Sequence, residues 1–242
     1  MKIDPGMTLS ELVDARPSLA REFERMELDY CCGGGRTLRD ASLARGLDVD
    51  GLVTALEAAS ADAAPAEWSA MDAASLVDHL YDVHHVYLWD EMPRIDALVA
   101  KILDVHGTRH PELADIASCW SAIHADLEPH LVKEERVLFP MVKELAAASA
   151  QGASSPAFHC GTLRNPIGVM LREHDTVGDL LARMRQLTSG YRPPDDGCAT
   201  YRAAFIALEQ LEADTHLHIH MENNVLFPMV VRLEAELAAA SR

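Results

Sequence analysis

Long apolar runs are absent from this 242-residue chain: no stretch of 18 apolar residues occurs, and the start, MKIDPGMTLSEL, lacks the apolar core of a signal peptide. We therefore expect no membrane span, no membrane partner and a cytoplasmic location. Basic residues are also scarce, with 21 Lys and Arg against 38 Asp and Glu and a formal charge of −17. Because no basic cluster could displace counterions from phosphates, the composition argues against nucleic acid as a partner.

Alternating strand patterns are missing as well, and Ala, Leu, Glu and Arg dominate, so the sequence predicts an all-α protein. Cysteines are few and odd in number. Five cysteines without an export signal indicate free thiols and not a disulfide framework.

The order of helical segments along the chain predicts a small helical N-terminal domain over residues 1–60, a linker over 61–70 and a main domain over 71–242. In the main domain, long helical stretches are predicted at about 72–104, 111–148, 166–189 and 198–240. Long helices with short connections favour an up-down-up-down four-helix bundle. Prolines within the stretches, such as Pro140 and Pro228, are expected to kink their helices.

An internal repeat is the most informative pattern. The segment HLVKEERVLFPMV begins at His130 and recurs 88 positions later as HIHMENNVLFPMV, whose related histidine is His218. Each copy has a glutamate four residues after the histidine, Glu134 and Glu222, which places both side chains on one helix face. Imidazole nitrogen and carboxylate oxygen suit iron, manganese or zinc. Two such pairs on facing helices suit two metals bridged by carboxylates.

The repeat extends upstream, because His85 lies 45 positions before His130 and His174 lies 44 before His218. Adjacent His84 cannot point into the same site as His85, since neighbouring helical residues differ by about 100°. The predicted metal ligands are four histidines and two glutamates: His85, His130, Glu134, His174, His218 and Glu222.

Three further residues are second-rank candidates. Asp126 and Asp214 each precede a ligand histidine by four residues, and we expect them to accept the distal N–H of a metal-bound imidazole. The alternative is that both are solvated acids on the helix flank. His106 either lies near the centre or interacts with a helix C-terminus, where a cation is favoured.

Vicinal Cys31 and Cys32 stand in the glycine-rich segment DYCCGGG. Adjacent cysteines form strained disulfides poorly. Thiols on such a turn are suited to reaction, transient metal binding or redox exchange. The alternative is that they fill a local gap as small hydrophobic residues.

The segments DYCCGGGRTL, VHHVY, HLVKEERVLFP, REHD and HIHMENNVLFP follow one another across nearly the whole chain. In this combination the chain resembles the iron-sulfur cluster repair di-iron proteins of the YtfE/ScdA type, also called RIC. The resemblance implies a small N-terminal domain before a hemerythrin-like bundle with two iron ions, bridged by an oxo group and carboxylates. It implies the six ligands above, and it places Cys31 and Cys32 at the family's thiol pair. His106 aligns with a family histidine.

The same resemblance implies repair of iron-sulfur clusters damaged by nitric oxide or oxidants. It implies iron donation to damaged iron-sulfur proteins as clients, with nitric oxide binding or reduction at the centre, and a monomer or homodimer. The alternative function is a hemerythrin-like protein that binds or senses oxygen or nitric oxide. Hemerythrins carry a histidine four residues after that of the third helix, where this chain has Gly178. A ferritin-like oxidase would need a glutamate three before each repeat histidine, where Leu127 and Thr215 stand.

Overall fold

The structure, a computed structural model, describes residues 2–59 and 66–240. Its regular elements over these residues are helical, and the predicted fold class, a four-helix bundle preceded by a small helical region, is confirmed. No helix among the described residues is long and apolar enough to cross a membrane.

The N-terminal region contains four short helices: α1 (Leu9–Ala15), α2 (Ser18–Arg25), α3 (Leu38–Ala44) and α4 (Val49–Ala59). Thr8 shows why α1 starts where it does. Its hydroxyl accepts the N–H of Glu11 at 3.2 Å, and the Glu11 carboxylate accepts the N–H of Thr8 at 2.8 Å. This reciprocal pair satisfies two N–H groups that a helix start leaves without partners.

Four long helical rods follow. The first comprises α5 (Ala73–Leu80), a π-helical turn (Tyr81–His85) and α6 (Val86–His106); the second comprises α7 (Glu112–Lys133), a π-helical turn (Glu134–Leu138) and α8 (Phe139–Ala150); the third is α9 (Arg164–Leu187); and the fourth comprises α10 (Ala199–His220), a π-helical turn (Met221–Leu226) and α11 (Phe227–Ala240). These bounds agree with the predicted stretches to within a few residues.

Two of the π-helical turns lie just before prolines, where the helix cannot keep its regular hydrogen bonds. Pro140 and Pro228 each follow a π-helical turn by two residues. A proline ring crowds the carbonyl four residues back, and that carbonyl belongs to Arg136 or Asn224, both inside the wider turns. The helix therefore changes type just before these two prolines, and the predicted kink stays a prediction. Such turns occur frequently at functional sites.

Half of the predicted linker, residues 61–65, lies outside the described residues. In the other half, Glu67–Ala70 form a 3₁₀ turn, and the buried Trp68 donates its indole N–H to Asp14 at 2.9 Å.

The chain divides into two compact units. The first contains residues up to 77, 142–157 and from 216 onward, and its core includes Leu12, Phe23 and Leu56. The second contains Asp78–Met141 and Phe158–Thr215. In the second unit, α6, α7, α9 and α10 surround buried residues such as Ile95 and Ile123. Truncating a side chain of this kind to alanine costs about 2–5 kcal/mol, so the core holds these helices firmly.

Candidate metal centre

Four of the predicted ligands meet inside the second unit. His85 and Glu134 end and begin π-helical turns, His130 lies in the last turn of α7, and His174 lies in the middle of α9. All four side chains are buried. The Glu134 carboxylate lies 3.3 Å from His130 Nε2 and 3.5 Å from His85 Nε2, while the Nε2 atoms of His130 and His174 are 3.2 Å apart.

These separations match those of ligands around one ion. Two nitrogens that each lie about 2.1 Å from a metal at near-octahedral or tetrahedral angles are about 3.0–3.4 Å apart. The donor atoms of His130, Glu134 and His174 all lie within 4.8 Å of one another. A buried set of two imidazoles and a carboxylate costs desolvation energy without a partner ion, so the donor set fits a divalent or trivalent cation.

Glu173 fixes the orientation of His130. Its carboxylate accepts a hydrogen bond from His130 Nδ1 at 2.9 Å and also binds Lys133. The hydrogen bond from His130, assisted by Lys133 and opposed by partial burial, lowers the pKa of Glu173 to about 2. Glu173 is therefore ionised and can only accept, which places the imidazole proton on Nδ1 and leaves Nε2 as a lone pair for a metal.

Glu135 does the same for His85. Its Oε1 lies 3.0 Å from His85 Nδ1 and also accepts the indole N–H of Trp89 at 2.7 Å. Two donors converge on one carboxylate oxygen, so the ring of His85 is held with Nε2 directed away from Glu135. Both carboxylates stand next to a predicted ligand in the sequence: Glu135 follows Glu134, and Glu173 precedes His174. That position is the feature by which they could have been found.

The first unit holds the second copy of the pair. His218 Nε2 and Glu222 Oε1 are 3.3 Å apart, the same distance as between His130 and Glu134, and both side chains are buried. Glu222, like Glu134, lies at the start of a π-helical turn. The two halves of the repeat therefore share local geometry as well as sequence.

The second-rank candidates lie elsewhere, and their proposed roles need correction. Asp126 is exposed, and the carboxylate against His130 is Glu173 instead. Asp214 contacts His84 Nδ1 at 2.9 Å, so it orients a buried histidine that is not in the ligand set. The reason is helix phase, because a residue four before a ligand lies beside it and not behind its ring.

His106 is also separate from the centre. It ends α6, 21 residues after His85, which corresponds to about 30 Å along the helix. Its Nε2 lies 3.1 Å from the sulfur of Cys198, and Arg109 lies 3.4 Å from its Nδ1. Because arginine only donates, Nδ1 is the accepting nitrogen and Nε2–H points at the sulfur. This contact lowers the pKa of Cys198 to about 7.

The cysteine turn of the first unit is fastened to α10 and the π-helical turn that follows it. His220 Nδ1 lies 3.2 Å from the carbonyl of Tyr30, and Asn224 donates to the carbonyl of Cys31 at 3.0 Å. The opposite nitrogen of His220, Nε2, lies 3.0 Å from Asp14. No sequence pattern predicts these two anchors, because each depends on a contact between segments about 190 positions apart.

Buried imidazole and carboxylate side chains on a helical bundle define a metal-binding helical protein. Residues 76–230 match the family described as Hemerythrin HHE cation binding domain, and residues 5–60 match a Domain of Unknown function (DUF542). Proteins named iron-sulfur cluster repair protein YtfE are similar over most of their length. The protein of Enterobacter sp. (strain 638) is 32% identical, over 91% of this chain and 94% of its own length. The protein of Yersinia pseudotuberculosis is 33% identical, over 95% of this chain and 98% of its own length. The chain belongs to this hemerythrin-like iron-sulfur cluster repair family.

Proposed function

We propose that this protein repairs damaged iron-sulfur clusters with iron held in a di-iron centre. The proposed ligands are His85, His130, Glu134, His174, His218 and Glu222. Support comes from the donor chemistry, since imidazoles and carboxylates suit iron, and from the equal geometry of the two histidine–glutamate pairs. When bound, the iron would supply the metal that a damaged cluster has lost and redox chemistry toward nitric oxide.

The residues of the chain prepare the centre. Glu135 and Glu173 bind Nδ1 of His85 and His130, which would leave Nε2 of each ring available to a metal. Burial of Glu134 excludes water from the carboxylate and so strengthens its interaction with a cation. Four imidazoles and two carboxylates would be fewer protein ligands than two closed octahedral shells need. Such a centre can bind a small ligand or release iron.

The observation that carries the repair function is the cysteine turn. It is anchored by His220 and Asn224, which flank the proposed ligand Glu222 by two residues on each side. An oxygen carrier has no use for a thiol pair whose backbone is held by side chains of its ligand helix. We infer that Cys31 and Cys32 accept iron or a nitrosyl group during transfer to a client.

Metal analysis with Mössbauer spectroscopy tests the centre. We expect a coupled diferric signal from two iron ions per chain. His130→Ala should lose this signal, while His124→Ala, which removes a surface histidine of the same helix that contacts Asp96, should keep it. A wild-type protein with zinc alone after growth in iron would contradict the proposal.

Repair is measured separately, as recovered activity of a [4Fe–4S] enzyme inactivated by nitric oxide. We expect the iron-loaded protein to restore activity without added iron, and Cys31→Ser/Cys32→Ser to slow it. A reversible oxygen charge-transfer band without repair would favour the oxygen-binding alternative instead.

A further inference from the structure

The turn that carries the two cysteines is organised by Asp29. Its Oδ1 accepts the backbone N–H groups of Cys31 at 3.1 Å and Cys32 at 2.9 Å, and its Oδ2 accepts the N–H of Gly33 at 2.9 Å. This folding brings three donor atoms together: the Cys31 sulfur lies 3.3 Å from Asp29 Oδ1 and 3.9 Å from the Cys32 sulfur.

These distances have the size that a tetrahedral ion requires. With metal–sulfur bonds of about 2.3 Å and a metal–oxygen bond of about 2.1 Å, a tetrahedral angle separates two sulfurs by about 3.8 Å and sulfur from oxygen by about 3.6 Å. The observed values differ from these by a few tenths of an ångström. The third separation, between the Cys32 sulfur and an Asp29 oxygen, is also within 4.8 Å.

We propose that Asp29, Cys31 and Cys32 form a second cation site, separate from the bundle centre, for a borderline divalent ion such as Fe(II) or Zn(II). The soft sulfur donors exclude Mg(II) and Ca(II), which prefer all-oxygen sites. Asp29 is exposed and Cys32 is partly exposed, so an ion would reach these donors from solvent. The choice of Fe(II) as the natural occupant rests on the proposed repair function, whereas the site itself does not.

Binding of an ion at this site would release the protons of the two thiols. The hydrogen bond to Cys32, together with burial, raises the pKa of Cys31 well above its ordinary value, so Cys31 is a thiol before an ion binds. Binding one divalent ion to the Asp29 carboxylate and two thiols forms two metal–sulfur bonds and releases two protons, leaving the complex with one negative charge. Affinity should rise with pH accordingly.

The surroundings hold the turn in a binding conformation. Asn224 and His220 fix the carbonyls of Cys31 and Tyr30, and the Tyr30 side chain is buried with its hydroxyl 3.0 Å from Glu24. The backbone between the donors is therefore ordered before an ion arrives, which lowers the entropy cost of binding.

Cobalt(II) titration of the full-length protein under anaerobic conditions tests the proposal, because thiolate ligands give a sulfur-to-cobalt charge-transfer band that imidazole and carboxylate ligands do not. We expect one equivalent to saturate this band. Cys31→Ser/Cys32→Ser should abolish it, and Asp29→Asn should weaken cobalt binding by at least about tenfold. The matched control is Cys198→Ser, which removes another accessible thiol next to a histidine and should leave the band unchanged.

Two results would overturn the site: no sulfur band in the wild-type protein, or a band that survives in the double cysteine variant. Equal affinity in Asp29→Asn and wild type would overturn the three-donor assignment, provided that circular dichroism shows the same fold. The diferric signal of the bundle is read independently by Mössbauer spectroscopy, so failure of this site and failure of the proposed di-iron centre are distinguishable.

Discussion

Replacing Glu173 with glutamine should weaken metal binding although Glu173 is not a proposed ligand. In the structure its carboxylate accepts from His130 Nδ1 at 2.9 Å and binds Lys133 with the other oxygen. An amide cannot satisfy both contacts. If its oxygen faces His130, its NH₂ group meets the Lys133 ammonium; if its oxygen faces Lys133, its NH₂ group meets Nδ1.

The second orientation is the more damaging one. A donor at Nδ1 favours the tautomer with the proton on Nε2, which blocks the nitrogen that faces Glu134 and His174. Loss of a carboxylate partner of a ligating histidine typically lowers metal affinity 10–100-fold, about 1.4–2.7 kcal/mol. We expect Glu173→Gln to fall in this range.

Competition with a chelator of known affinity measures the effect on Fe(II) binding. Glu128→Gln is the matched control, since it removes the same charge from an exposed site on α7 that lies 3.9 Å from a histidine outside the proposed ligand set, His124. It should bind iron as the wild type does. Affinity of Glu173→Gln within twofold of the wild type would refute the orienting role of this carboxylate.

Two further predictions concern cysteines and glycines. The His106 hydrogen bond lowers the pKa of Cys198 to about 7, so the rate at which iodoacetamide alkylates Cys198 should rise through pH 7 and level off above it. In His106→Gln the midpoint of this pH profile should move up toward the ordinary pKa of 9.0. Peptide mass spectrometry measures the profile, and an unchanged midpoint would contradict the contact. Gly34→Ala should displace the cysteine turn, because an added Cβ would lie 2.8 Å from the Asn224 Oδ1 and closer still to a carbonyl of the turn, while Gly35→Ala meets nothing within 4 Å. Urea unfolding should show a free energy of unfolding about 1–3 kcal/mol lower for Gly34→Ala and close to that of the wild type for Gly35→Ala. Equal stability of the two variants would contradict the predicted steric clash at Gly34.

The helices and the six proposed ligands could be predicted because both depend on local periodicity. Polar residues repeated at i and i+4 within apolar helices, such as His130 and Glu134, mark one face of a helix whatever the tertiary structure is. The 45- and 44-residue spacings then pair His85 and His174 with the two copies. The repeated spacing distinguishes these four histidines from the other eight in the sequence.

The partners of the ligands could not be predicted in the same way. Glu173 meets His130 across two helices, 43 positions apart in the chain, and the outcome depends on the rotation of α7 against α9. Periodicity within one helix carries no information about that rotation. The prediction for Asp126 failed for this reason, since it relied on spacing along a single helix.

The π-helical turns could not be predicted either, although two of the three in the described part of the chain, Glu134–Leu138 and Met221–Leu226, each end two residues before a proline. Pro140 and Pro228 have no N–H to donate, and the residues before them contain the carbonyls that the proline rings crowd. Sequence reasoning identified the prolines and expected a kink. Whether such a strain is relieved by a bend or by a wider turn depends on packing around the helix, which no local pattern encodes.

The fourth rod shows how one helix serves two sites. His218 and Glu222 have the same i,i+4 spacing as His220 and Asn224, and the two pairs are offset by two residues, or about 200° around the helix. One face therefore presents a buried imidazole and carboxylate 3.3 Å apart, and the opposite face holds the backbone of the cysteine turn. Any rotation of this segment, which includes the π-helical turn Met221–Leu226, must move both faces together. The side chains on the two faces therefore share one stretch of backbone, from His218 to Asn224.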